Sequence, residues 1–327
     1  MTSLLRGLWL AAALGLTFEA AAQTTAQSYP SRPIRVVVPY PPGGGNDNMG
    51  RLIAQRLTEA FKQPAVVDNR GGAGGRVGAE YVAKAAAPDG YTLLMAGSTL
   101  MITAPALYQN LQYDVQRDFA PIAHVGHTAY VLVVHPAVPV KTVSQFIALC
   151  RSRPGALNYS SSGSGGPAHL AGELLQSLAG IRMVHVPFKG GSVAMTQLLG
   201  GEIDFTFGNI QPTAPMVRSG RLRALAVTSP QRSRILPDVP TFAEAGVPGL
   251  EVLIHYGVLA PAATPPEIVA RLNGALVKGL NTPETRKRME GDGVELATST
   301  PQEFGTIIRT ETDRWTKIIK AAGIKPE

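Results

Sequence analysis

The chain has 327 residues, is 45% hydrophobic and 16% charged, carries a formal net charge of +7 and contains a single cysteine, Cys150. One cysteine excludes an intrachain disulfide, and scattered Lys and Arg residues without a basic run or aromatic interleaving exclude an ordinary nucleic-acid interface. A mild basic excess suits anionic small molecules instead.

The first residues read as an export signal. Arg6 supplies a positive start, Leu8 to Leu16 is a short apolar run, and Ala20-Ala21-Ala22 gives a small-x-small cleavage pattern, with the cut expected before Gln23. The apolar run is too short to span a bilayer, no Cys follows it for a lipid anchor, and no later stretch reads as a transmembrane helix. Residues 1–22 are therefore expected to be a signal peptide and the mature chain a soluble periplasmic protein. What remains, about 300 residues, is enough for two domains with their own cores.

Ile34 to Val38 is a β-branched run, the pattern of a strand buried on both faces. A Gly/Pro turn follows, then a helix from Asp47 to Phe61, a strand from Ala65 to Val67, a helix from Val77 to Ala86 and a strand from Tyr91 to Met95. This β-α-β-α-β order implies a parallel sheet. The pattern restarts after Val131 to Val134. Thr142 with Gln145 resembles a capping box opening a helix to Arg151, and Cys150 ends its apolar pattern, which reads as packing rather than a reactive thiol. Strands at Leu157–Ser160, Met183–Val186, Ile203–Phe207 and Leu222–Val227 alternate with helices at Pro167–Ala179, Val193–Leu199 and Pro215–Ser219.

Pro230 to Gly249 reads as a surface connection, Leu253 to Leu259 as a strand, and Pro266–Leu280, Pro283–Glu290 and Pro301–Ala322 as helices. The last helix carries Phe304, Ile307, Ile308, Trp315, Ile318 and Ile319 at helical spacing, an apolar face interrupted by Glu311, which is expected to pack on the first domain. The chain then crosses between domains twice, near 122–134 and 252–259. Lobe 1 is expected to take 28–128 and 254–327, and lobe 2 129–253. Two crossings make a hinge, and the hinge a cleft that closes on a ligand.

Ligands of open parallel sheets bind beyond the carboxyl ends of the strands. The loop Tyr40 to Asp47 holds Gly43, Gly44, Gly45 and Asn46 before a helix, where backbone N–H groups and the helix dipole favour an anion. Asp47 is expected to be the N-cap rather than a ligand contact. The loop Ser161-Ser162-Gly163-Ser164-Gly165-Gly166 precedes Pro167 and His169 and offers hydroxyls and amides at a helix start. Gly163, Gly165 and Ala168 also fit a loose dinucleotide pattern, but the acidic ribose partner is missing from the region His185 to Lys189. A third loop, Gly71 to Arg76, is as readily structural. There is no G-x-S-x-G elbow, no metal spacing among the six histidines and no paired-carboxylate pattern, so no catalytic residue, metal or cofactor is expected.

Taken together, these segments resemble the Bug family (Bordetella uptake gene type), periplasmic receptors of tripartite tricarboxylate transporters. The resemblance runs through YPSRPIRVVVPYPPGGGND, DNRGGAGGRVGAEYVAKAAAPDGYTLL, YDVQRDFAPI, NYSSSGSGGPAHLAGELL, VHVPFKGG, LLGGEIDF, LRALAVTS, LPDVPTFAEAG and GVLAPAATP, nearly the whole mature chain. It implies an α/β, two-domain Venus-flytrap fold of the type II periplasmic-binding-protein kind, each lobe a mostly parallel sheet flanked by helices. It also implies that a small organic carboxylate is gripped by amides and hydroxyls of the Ser161 to Gly166 loop, with the Tyr40 to Asp47 loop closing from the other lobe. The matching segments add Phe188, Lys189 and Asp204 to the candidate ligand residues, and the stretches that the resemblance puts on the cleft walls add Ser98, Thr99 and His255. The sequence departs from the family's usual pattern at Gly166, often Ser or Thr, at His255, usually Trp, and in Leu100 to Ala104. The implied partners are the carboxylate and membrane components of a tripartite transporter, with a sensor kinase as the alternative, and the implied state is a monomer. An α/β enzyme acting on a phosphorylated or nucleotide substrate is the remaining alternative class.

Overall fold

The computed structural model describes residues 29–108, 110–188 and 190–324; the export signal and Lys189 lie outside the described residues. Ten strands occur in chain order: β1 (Ile34–Val38), β2 (Ala65–Asn69), β3 (Thr92–Gly97), β4 (Phe119–Val134), β5 (Asn158–Ser161), β6 (Val184–Pro187), β7 (Phe205–Asn209), β8 (Arg223–Val227), β9 (Leu253–Pro261) and β10 (Glu295–Leu296). The β-branched run of β1 has Val36, Val37 and Val38 wholly buried, as a strand with helices on both faces requires.

In the first lobe, β1 lies between β2 and β3, parallel to both. In the second, β5 lies between β6 and β7, again parallel to both. Each sheet is then completed by strands of the opposite direction: β9 against β3, and β4 against β9, β7 and β8. The sheets are thus mixed where a mostly parallel order was expected, because the connecting strands run back across the lobes.

Strand β4 belongs to both sheets. Its residues up to Ala129, paired with Leu253, lie in the first sheet, and from Tyr130, paired with Asn209, it continues in the second. The other connection is stapled to this point. Thr228 Oγ1 accepts from the Tyr130 N–H at 2.9 Å and donates to the Val252 carbonyl at 2.7 Å. The two connections are thus hydrogen-bonded to each other where β4 passes from one set of strand partners to the other.

The helix Pro301–Ala322 starts with a capping box between Thr300 and Glu303. It buries Phe304, Ile308, Trp315 and Ile319 against β4 and the Thr99–Thr103 turn, and its exception, Glu311, is held by Arg314 at 3.2 Å. At the earlier helix Val143–Ser152, Thr142 accepts from the Gln145 N–H, but the Gln145 side chain reaches back to Lys141 rather than closing the box on Thr142. Cys150 is buried, and burial raises its thiol to about 11, the behaviour of a packing residue.

One helix starts elsewhere than the sequence predicts, and the stretch after Ser98, to which the sequence assigns no element, is helical. The helix expected at Pro215 begins at Ile210, with Pro212 in its first turn and Pro215 inside it. First-turn N–H groups have no intrahelical partner, so Pro212 costs nothing there and conceals the true start. The stretch after Ser98 is a π-helical turn, Thr99–Thr103, running into a short helix, Ala104–Leu107. Its continuous apolar run Leu100–Ile102 is buried on all sides and shows no period to read.

Candidate functional site

Four strands point their carboxyl ends at the space between the lobes: β1 and β3 from one side, β5 and β7 from the other. Beyond β1 the chain turns through Tyr40 and Gly43, the latter at φ +90, into the helix Gly45–Phe61. The N-cap of this helix is Gly44, not Asp47. Asp47 is one turn in, and its carboxylate is spent on the loop: Oδ2 accepts from the Gly43 N–H at 3.0 Å and Arg51 Nε at 2.9 Å, and Oδ1 from Asn69 Nδ2 at 3.0 Å. Burial opposes its charge, yet these donors outweigh burial and hold its carboxyl below the usual value. Asp47 is therefore a brace for the glycine turn. Gly43 and Gly44 keep open space on their Cα side.

Three tyrosines gather beside this turn. The Tyr256 hydroxyl lies 2.8 Å from where a Cβ on Gly45 would stand, and the Tyr40 side chain bonds Thr99. Burial raises the phenols of Tyr40 and Tyr256 to about 12 each, and that of Tyr130 further; neighbouring tyrosines add to the effect at Tyr130 and Tyr256, while the bond from Thr99 opposes it at Tyr40. All three therefore keep their protons at neutral pH and remain donors. Asn46 tucks its amide under Gly97, where Oδ1 is buried without a partner.

On the facing side, Gly166 caps the helix Pro167–Ala179, with Pro167 at its first position. Gly163 and Gly165 have φ of +138 and +75, which only glycine adopts readily. The expected direct grip by their amides is modified, because the loop bonds itself: the Gly163 N–H goes to Ser161 Oγ at 3.1 Å, the Gly165 N–H to His169 Nδ1 at 3.0 Å and the Gly166 N–H to the Gly163 carbonyl at 3.4 Å. His169 is accordingly a buried support under the loop. Ser162 is exposed and Ser164 half-buried, while Ser161 is 2% exposed. From the first lobe, Thr103 donates to the Gly165 carbonyl at 3.3 Å, so the two sides of the cleft touch.

Several sequence candidates are placed elsewhere. Ser98 accepts the His255 N–H at 2.7 Å and donates to the Leu253 carbonyl, tying β3 to β9. The His255 ring turns away from Tyr256, as alternation along a strand demands, and bonds His124 Nε2 at 3.1 Å beside His127. Among the described residues these histidines form no group able to hold a metal ion. Asp204 precedes β7, at the opposite end of the sheet from Ser161, where it accepts the Asn158 N–H at 2.8 Å. Phe188 pairs its N–H with the Ser161 carbonyl at 3.0 Å and packs its ring into the second lobe's core. Lys189 lies outside the described residues.

The sequence did not single out Tyr130, Tyr256 or Asn209. Asn209 ends β7 opposite Tyr130 and is the N-cap of the helix Ile210–Arg218, yet it makes no capping bond, and its buried Oδ1 has no partner. A residue type that normally caps, held off its cap at the mouth of a cleft, has hydrogen-bonding capacity to spare. With the strand expected to end at Phe207 and the helix to start at Pro215, Asn209 falls in the connection between them, and Pro212 hides the helix that follows it. The assembled site offers the protonated hydroxyls of Tyr40, Tyr130 and Tyr256, neutral donors that can face an anion without burying a second charge.

Comparison with known proteins bears on the family and the fold. The model of the family described as tripartite tricarboxylate transporter family receptor matches residues 49–324. Protein BugT of Bordetella pertussis is 37% identical over 306 residues, covering 93% of this chain and 94% of that protein. The solved structure of R. palustris Rpa4515 with adipate superposes with a TM-score of 0.85 at 36% identity, covering 91% of this chain and 100% of the other. That of MatC (Rpa3494) from Rhodopseudomonas palustris with bound malate gives 0.79 at 32% identity, covering 89% of this chain and 100% of the other.

Proposed function

The chain belongs to the tripartite tricarboxylate transporter receptor family, and from that membership we propose that it closes its two lobes on a small organic carboxylate and delivers it to the membrane components of a transporter. It is a solute-binding receptor. The observation that carries the ligand class is the set of buried, proton-bearing Tyr40, Tyr130 and Tyr256 beside the Tyr40–Asp47 turn, hydroxyl donors that can receive a carboxylate without a second buried charge. The adipate and malate of the two structural relatives belong to the same chemical class.

The proposal extends to the hinge and the compartment. Lobe 1 comprises 28–128 and 254–327, lobe 2 comprises 129–253, and what supports that division is the change of β4 partners between Ala129 and Tyr130. The protein acts as a periplasmic monomer released by cleavage before Gln23, which the leader pattern supports. A thermal-shift screen over aliphatic, aromatic and amino-acid carboxylates, followed by calorimetry, tests the reading. At least one carboxylate should bind with a single-site isotherm, and small-angle scattering should show a smaller radius of gyration on saturation. Silence across the whole panel, or binding only by cationic or neutral solutes, would remove it.

A further inference from the structure

Ser161 has one hydroxyl proton and three close polar neighbours. Its Oγ lies 3.0 Å from the Gly163 carbonyl oxygen, 3.1 Å from the Gly163 nitrogen and 2.7 Å from Nε2 of His185. A carbonyl oxygen only accepts and a backbone N–H only donates. Two oxygens 3.0 Å apart attract only with a proton between them, so the serine proton rests on the Gly163 carbonyl. The 2.7 Å contact must then take its proton from the ring, which makes Nε2 of His185 the donor and Ser161 Oγ the acceptor. The opposite tautomer would claim the serine proton and leave two bare oxygens facing each other.

The ring is held for this task. Its strand β6 runs parallel to β5 with Tyr159 opposite His185 and Ser161 opposite Pro187. The imidazole stacks on His169 with centroids 3.9 Å apart and planes at 15°, and His169 in turn accepts the Gly165 N–H at 3.0 Å. The Tyr159 ring lies 5.0 Å from it. One histidine therefore supports the backbone of the loop and the other its first hydroxyl.

We propose that His185 is the positioning residue that arms Ser161 for an anion. With both lone pairs of Oγ occupied by the Nε2–H of His185 and the N–H of Gly163, the serine can only donate. An arriving carboxylate takes the proton that rests on the Gly163 carbonyl, and the donors behind Oγ polarise that proton further. Without the ring donor, Ser161 presents a lone pair to the anion as readily as a proton. This rests on the carboxylate reading above and adds to it a residue that does not itself touch the ligand.

Two measurements test it. Nitrogen-15 spectra of histidine-labelled, ligand-free protein, assigned by the signal lost in His185→Gln, should show Nε2 of His185 protonated and its shift changed in Ser161→Ala. A bare Nε2 in the free protein overturns the proposal. In calorimetry with adipate and malate as probes, His185→Gln, whose amide nitrogen replaces Nε2–H, should stay within a few-fold of the parent. His185→Phe, which keeps bulk and loses the donor, should lose about tenfold or more. Equal losses in the two variants would mean that the ring acts through packing, and would also overturn it. If neither probe binds the parent protein, the carboxylate reading is what suffers, and the nitrogen spectra still decide where the proton of His185 lies.

Discussion

The Thr103 hydroxyl of one lobe donates to the Gly165 carbonyl of the other across 3.3 Å, and beside it the Leu107 side chain fills the space in which a Cβ on Gly165 would stand. This contact joins the Thr99–Thr103 turn to the hydroxyl loop on the other side of the cleft. Gly165→Ala places a methyl against Leu107 and forces a φ of +75 on an L residue. The expected outcome is a stability loss of about 1–3 kcal/mol and a tenfold or greater loss of ligand affinity. Scattering on the saturated variant should keep the radius of the open form. Parental affinity with parental closure would show that the contact plays no part in the bound state.

Asp47 gives a stability prediction with a definite pH sense. Its folded carboxyl lies below the usual value, so the unfolded chain binds its proton first, and the stabilisation it provides is complete above about pH 4 and fades as the pH falls below that. Asp47→Asn keeps the volume but replaces one accepting oxygen by an amide N–H₂, so it removes at least one of the three bonds and weakens the rest, with an expected cost of about 1.5–3 kcal/mol at neutral pH. Urea midpoints of parent and variant should converge on acidification toward pH 3. A gap that stays constant with pH would mean that shape rather than charge matters at this position.

The His124–His255 pair adds a second acid sensitivity. Burial, and then the neighbouring histidines, lower His255 to about 3, and burial with His127 lowers His124 to about 4. Both lie below the ordinary imidazole value, so the unfolded chain binds protons that the folded chain refuses. The stability held by the neutral pair is therefore complete above about pH 6.5 and drains on acidification, by about 1.4 kcal/mol per pH unit for each group that stays neutral. His255→Phe should remove part of that slope between pH 6.5 and 4 in urea titrations. An unchanged slope would place the acid sensitivity in other groups.

The chemistry of the site was only partly legible in the sequence, and particular residues show why. β1 and the helix Pro301–Ala322 announce themselves because burial imprints a run or a period on neighbouring residues. The glycines at 43, 163 and 165 announce themselves because a left-handed turn excludes most other residues. Asp47 did not, because its role depends on Asn69, which folding brings to it from 22 residues away. His255 and Tyr256 are adjacent in sequence yet serve opposite faces of β9, and which face meets the cleft is decided by pairing with β3 and β4. Asn209 was hidden because Pro212 and Pro215 conceal a helix that starts at Ile210, so the residue reads as part of a connection and not as an N-cap whose cap is left unmade.

Asn209 separates ligand binding from structural support most cleanly. A buried amide oxygen without a partner costs the fold roughly 1–3 kcal/mol relative to a satisfied one, so removing it should not destabilise the protein. If the amide, in the flip that turns its N–H₂ toward the ligand, is reserved for a carboxylate, Asn209→Ala should leave the melting temperature equal or slightly higher while lowering carboxylate affinity about tenfold. Asn209→Asp tests the same point with nearly the same volume. It places a negative charge opposite Tyr130 in a site built from neutral donors, and repulsion of a carboxylate at short range in a closing cleft should lower affinity far more than the alanine change does. That loss should ease as the solution is acidified and the new carboxyl takes up a proton. Lost stability with retained affinity in Asn209→Ala would mean that the side chain supports the fold, and the ligand site would then have to be sought away from the end of β7.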